Sequence, residues 1–172
     1  VIAVLEFFAH EKQDSDPELL DMLASMGGQI GQFFDRTRAE ETLDRFFTMS
    51  LDLLCSAGFD GVFRRLNPAW ERTLGYTLTE LTARPFLEFV HADDQAETVT
   101  ELEKLATGAH ETIAFENRYG SKDGSFRWLM WKCAPLSSEE LIYARARDIT
   151  ESKEMQERLR HLKETAEAAS AA

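Results

Sequence analysis

The chain has 172 residues, 44% hydrophobic and 29% charged, which is the range of an ordinary packed domain with appendages and short for two full domains. Its 31 acidic residues against 19 Lys and Arg give a net charge of −12, which argues against a nucleic-acid or anionic-membrane binder, because neutralising phosphates takes clustered cations. No membrane span or signal peptide is read: the apolar opening run Val1 to Ala9 is interrupted by Glu6, is too short, and lacks a basic stretch before it. With no initiator Met at its start, the sequence is expected to be a piece of a longer protein.

Val1 to Leu5 is apolar and mostly β-branched, and predicts a strand; its place is open between disorder, packing on its own domain and pairing with another copy. Asp16-Pro17 is a helix start, with Asp as cap and Pro at the first helical position. Leu19, Leu23, Met26, Ile30 and Phe33 then follow at alternating steps of four and three, the spacing of a coiled-coil seam. Gly27, Gly28 and Gly31 weaken an isolated helix but leave room for a close helix–helix approach.

From about Leu43 the pattern is mixed. Leu53 to Ala57 predicts a strand, Gly58-Phe59-Asp60-Gly61 a hairpin turn, and Val62 to Leu66 the returning strand. Asn67-Pro68 reads as cap and first position of a short helix that Gly75 ends. Thr77 and Glu80 form a capping box for a second helix. Asp94 with Glu97 opens a longer one, carrying Val99, Leu102, Leu105 and Ala106 on one face and ending at Gly108. Three strands follow, Glu111 to Tyr119, Ser125 to Ala134 and Glu140 to Ile149, with Ser121 to Gly124 as the turn between the first two. Helices between groups of strands point to an α+β fold with an antiparallel sheet. Glu151 to Ala172 predicts a charged helix whose Met155, Leu159 and Leu162 repeat the four–three seam, and a seam that narrow needs a second copy to bury it.

Several motifs in order resemble a PAS domain over about 43–150: Asn67-Pro68-Ala69-Trp70-Glu71, Leu74-Gly75-Tyr76, Phe89-Val90-His91-Ala92-Asp93-Asp94, Lys122-Asp123-Gly124-Ser125-Phe126-Arg127-Trp128 and Asp148-Ile149-Thr150. Ala92 stands where the family usually has Pro. Residues 1–42 are similar to the last strand and helix of a GAF domain plus a linker helix, and 151–172 to the linker before the phosphoacceptor helix of bacterial sensor histidine kinases. The resemblance implies a five-stranded antiparallel sheet with short helices on one face, flanked by coiled-coil-like helices. It implies a cytoplasmic sensory and relay module that forms a parallel homodimer, contacts neither nucleic acid nor membrane, and passes its signal to a kinase. The alternative is a ligand-binding receptor module for another output such as a diguanylate cyclase.

No catalytic residue is expected. His161 is followed by Leu162 and Lys163 rather than the acidic neighbour of a phosphoacceptor, and no Gly-rich nucleotide motif occurs. No metal site is expected, since the four histidines are scattered and no CxxC pair exists. No cofactor is expected: neither Cys55 nor Cys133 lies in the Asn-Cys-Arg motif of flavin photosensors, and the helix after Asp94 holds no His for haem. In the sheet order of the family the two cysteines lie on strands separated by the last strand, about 9.6 Å apart, beyond the roughly 7 Å of a disulfide. A pocket for an unknown small metabolite is drawn around Trp70, Val99, Leu102, Phe115, Asn117, Met130, Ala144 and Ala146, the competing reading being ordinary core packing. Asn117 is expected on one face with Ile113, Phe115 and Tyr119. Asp148, Ile149 and Thr150 are read either as a plain helix cap or as the relay to the exit helix, with Arg127, Arg145 or Arg147 as partners.

Overall fold

The computed structural model describes residues 17–107 and 111–170, without the side chains of 19, 20 and 168–170. The expected strand at Val1 to Leu5, the cap Asp16 and the stop Gly108 lie outside those residues, as does the side chain of Leu19. By contacts the chain falls into two units, Val1–Phe46 and Phe47–Ala172.

The first unit holds most of helix α1 (Pro17–Met49), which opens on Pro17 as the sequence predicts. Met26, Ile30 and Phe33 are exposed and Leu23 is half-buried. A Cβ added at Gly27, Gly28 or Gly31 would meet nothing within 4 Å.

In the second unit the local signals place each element close to where it was read. Strand β1 (Leu53–Gly58) and β2 (Phe63–Leu66) form the first hairpin. Its turn needs a left-handed residue, supplied by Gly61 at φ +77°, and Asp60 Oδ1 accepts the Val62 N–H at 3.1 Å. Helix α2 (Ala69–Leu74) ends where Gly75 adopts φ +76°. Helix α3 (Leu78–Thr82) has the full capping box: Thr77 Oγ1 accepts the Glu80 N–H, and Glu80 accepts the Thr77 N–H. Two 3-10 turns, Phe86–Phe89 and Ala92–Asp94, lead into helix α4 (Gln95–Ala106). Strands β3 (Thr112–Gly120), β4 (Phe126–Leu136) and β5 (Leu141–Asp148) follow, and helix α5 (Thr150–Ser170) leaves the sheet.

The sheet is antiparallel, in the order β2-β1-β5-β4-β3. Its inner face and the short helices enclose the core, centred on fully buried Trp70. The Trp70 ring centroid lies 4.9 Å from that of Phe63, 5.8 Å from Trp131 and 6.0 Å from Tyr119. Along β4 the side chains alternate: Leu129 and Trp131 are buried under the helices, while Trp128 and Met130 are half-buried on the other side. On that outer side Lys153 of α5 stands over the Trp128 ring at 5.1 Å.

Four sequence readings are corrected. Asn67 does not cap α2: its side chain turns back to the start of β1, where its Oδ1 accepts the Leu54 N–H at 3.0 Å. Asp94 makes no side-chain cap on α4, because its carboxylate is taken by Arg118 on β3 at 2.6 Å. Ile113 does not share the inner face with Phe115 and Asn117. Ala114, at φ +63°, interrupts the register between Ile113 and Phe115, so Ile113 is opposite Lys132 and 71% exposed. The inward face of α4 is Thr98, Glu101, Leu102 and Leu105, leaving Val99 and Ala106 exposed.

Candidate functional site

Two features of the core bear on function: an internal cavity and the junction between the sheet and α5. The cavity, about 60 Å³, lies between α4 and the inner face of the sheet. Register builds its floor. Cys55 on β1 and Cys133 on β4 are both paired with Ala144 on β5, so the three residues form one row, and all three line the cavity. The small Ala between two thiols leaves the space. The thiols are free, and β5 lies between their strands as the resemblance implied. Burial holds both thiols protonated: it pushes the Cys133 pKa up to about 12, with the nearby Glu101 charge adding to it, and lifts Cys55 well above its ordinary value.

The rest of the lining is apolar with a few fixed polar groups. Asn117 is 1% exposed and fully used: Trp131 Nε1 donates to its Oδ1 at 2.8 Å, and its Nδ2 donates to Thr98 Oγ1 at 3.0 Å. Thr98 in turn donates to the Asp94 carbonyl at 2.7 Å. Glu101 accepts from Thr112 Oγ1 at 2.6 Å and from Lys104 at 3.0 Å, and these bonds, the Thr112 one first, hold its carboxyl below the usual range. A buried polar chain thus crosses from sheet to helix with its bonds satisfied, which fixes α4 against β3 and β4.

Of the residues drawn around a pocket from sequence, Leu102, Phe115, Asn117 and Ala144 line the cavity. Trp70 and Ala146 are buried in the solid core instead, Val99 is on the outer side of α4, and Met130 is on the outer side of the sheet. Cys55, Thr98, Glu101 and Cys133 were not foreseen as lining. Thr98, Glu101, Leu102 and Leu105 do follow the helical i, i+3, i+4, i+7 spacing, but two of them are polar, which hides the face from a hydrophobic pattern.

At the junction, Thr150 is the first residue of α5. Its Oγ1 accepts the Trp128 N–H at 2.9 Å and donates to Asp148 Oδ1 at 2.6 Å; the same carboxylate oxygen accepts the Thr150 N–H at 2.9 Å. The Ile149 N–H donates to the Trp128 carbonyl at 2.8 Å. Asp148, Ile149 and Thr150 therefore both cap the helix and fasten it to β4. Arg127 is the Asp148 partner, at 3.9 Å, whereas Arg145 and Arg147 turn to Asp52 at 3.5 and 3.2 Å.

The seam residues of α5 are exposed: Met155, Leu159 and Leu162 at 48%, 59% and 62%. Among the described residues no cluster of His, Cys, Asp or Glu could hold a metal ion. No described helix is long and apolar enough to cross a membrane.

The family model described as the PAS fold matches residues 63–143. A solved PAS domain of an HTR-like protein from Haloarcula marismortui is 28% identical with a TM-score of 0.57, covering 67% of this chain and 98% of its own. This part of the chain has the PAS fold. Two more distant structures share the fold. One is a domain of a sensory box sensor histidine kinase/response regulator from Geobacter sulfurreducens, at 19% identity and TM-score 0.57, covering 64% of this chain and 94% of its own. The other is the PAS domain of a Colwellia psychrerythraea protein, at 20% identity and TM-score 0.58, covering 66% and 98%. No curated protein sequence matches. In this fold the cavity and the α5 lock lie on opposite sides of one strand, β4: Trp131 and Cys133 line the first, and Trp128 holds the second.

Proposed function

We propose that this chain is a sensory, relay and dimerisation module of a bacterial two-component sensor histidine kinase, cytoplasmic and without catalytic residues of its own. The observation that carries the reading is the lock between Thr150 and Trp128. It ties the first residue of the exit helix to the strand whose other face lines the cavity. A shift of β4 under the helices is then felt at the start of α5. The exposed seams Met26, Ile30 and Phe33 on α1 and Met155, Leu159 and Leu162 on α5 support a parallel homodimer, in which such a shift becomes a change of helix phase or register. The kinship of fold with a sensor histidine kinase domain supports the kinase as output.

The test is insertion of one residue after Lys153 in the full protein. It rotates everything downstream by about 100°. Lost or inverted signal response is the expected result, and an unchanged kinase response would reject helical relay.

The cavity favours a second reading, in which the PAS domain is a ligand-binding receptor for another output such as a diguanylate cyclase. At about 60 Å³ it exceeds the roughly 10–15 Å³ of a single water site and suits a metabolite of few atoms rather than a prosthetic group. Native mass spectrometry of the purified chain, with an absorption spectrum, separates this reading from relay alone.

A further inference from the structure

The relay reading runs from the cavity to α5. A second set of contacts, on the far side of the sheet, links α5 to the other helix. The last turn of α1 is anchored by Asn67, which is fully buried. Asn67 Nδ2 donates to the Phe47 carbonyl at 3.1 Å and to the Asp52 carbonyl at 3.0 Å. The Asp52 backbone is thus pinned to the core beside the end of that helix. Its side chain takes a different direction. The Asp52 carboxylate accepts from Arg147 Nε at 3.2 Å and Nη2 at 3.4 Å, and lies 3.5 Å from Arg145 Nε.

The two arginines flank buried Ala146, whose partner across the strands is Leu53, the residue after Asp52. Alternation along β5 therefore puts both guanidinium groups on the outer side of the sheet, at the place where Asp52 comes off β1. Arg147 is followed directly by Asp148, the residue that caps α5. The link is short and continuous: Phe47, Asn67, Asp52, Arg147, Asp148, Thr150.

We infer that Asp52 is the positioning residue that joins the end of the entering helix to the strand that delivers the exit helix, so that the two helices are coupled directly and not only through the cavity. The charge count supports a joint rather than an incidental surface pair. One carboxylate, 22% accessible, serves two guanidinium groups two residues apart on one strand face. Removing it leaves those like charges side by side with no counter-ion from β1, which pushes on β5 itself. A joint of this kind lets displacement of α1 reach Thr150 with an empty or a full cavity. The inference deepens the relay reading and rests on it only for the use made of the coupling.

Amide hydrogen exchange of the 172-residue chain tests it. Asp52→Asn is expected to speed exchange at Ile149 and Thr150 several-fold while leaving Leu129 and Trp131 in the sheet centre unchanged. Arg147→Gln, at a side chain 56% accessible, is expected to do the same, and the double variant to do no more than either alone. Asp52→Glu keeps the charge and is expected to restore part of the protection. Acceleration confined to residues 50–54, or effects of the two substitutions that multiply, overturns the inference. Where Asp52→Asn loosens the whole sheet, Arg147→Gln alone decides by the same two amides. Coupled exchange together with an unchanged response to the insertion after Lys153 would retain the joint and reject the relay.

Discussion

Replacing Thr150 by Val removes one hydroxyl from the α5 lock at nearly constant shape. That hydroxyl makes two hydrogen bonds, accepting from the Trp128 N–H at 2.9 Å and donating to the Asp148 carboxylate at 2.6 Å. Asp148 keeps a second donor, the Thr150 N–H, so its loss is partial. The Trp128 N–H has no such reserve: it is partly buried and would face a methyl group. A net hydrogen bond contributes about 1 kcal/mol, and stranding a buried donor costs about 1–3 kcal/mol, discounted here because α5 can shift and admit water. The expected destabilisation is therefore about 2 kcal/mol, or about 30-fold in the unfolding constant. Urea unfolding followed by tryptophan fluorescence measures it directly, since Trp128 is at the lock and Trp70 and Trp131 are in the core. Thr150→Ser keeps the hydroxyl and is expected to stay within about 0.5 kcal/mol of the parent. A Val variant as stable as the parent, or a Ser variant as damaged as the Val one, would show that the hydroxyl does not hold the helix.

Three further outcomes follow from the same geometry. Asn117→Leu strands the Trp131 indole N–H and removes an acceptor–donor bridge to Thr98, and is expected to lower stability by about 2 kcal/mol in thermal melts despite its better fit to an apolar cavity; a neutral or stabilising result would mean that the chain is dispensable. The bond from Lys122 holds the Glu80 carboxyl down at about 2, so the unfolded chain, with a higher Glu pKa, binds the extra proton as pH falls. The stability from this pair is present in full above about pH 4.3, the ordinary Glu value, and is lost towards pH 2; Glu80→Gln should flatten the acid limb of a stability–pH curve, and an unaltered slope would refute the pairing. Buried Cys55 and half-buried Cys133, both held protonated, should resist a thiol reagent at pH 8 until urea is added, and labelling of either in the native protein at the denatured rate would contradict their shielding.

The features legible in the sequence are those made by residues close together along the chain. Gly61 and Gly75 mark their turns because a left-handed backbone favours Gly, and Thr77 with Glu80 makes its capping box within four residues. The place of Thr150 at the start of α5 is likewise a local signal. The order of the motifs points to the five-stranded sheet through the resemblance they carry.

What the sequence could not supply is which distant group wins a side chain that has two plausible uses. Asn67 and Asp94 both look like helix caps, yet a β1 amide takes one and the Arg118 guanidinium takes the other. Arg145 and Arg147 stand beside Asp148 in sequence but reach Asp52 across the sheet, because strand alternation turns them to the outer face where β1 begins. The bulge at Ala114 shifts the phase of β3 by one residue, which sends Ile113 outward and lets Phe115 and Asn117 meet Trp131. The cavity itself exists because register sets Cys55, Ala144 and Cys133 in one row. Short-range rules fix each element from its own residues; register, bulges and competition for hydrogen-bond partners are settled only when strands far apart in sequence are laid side by side.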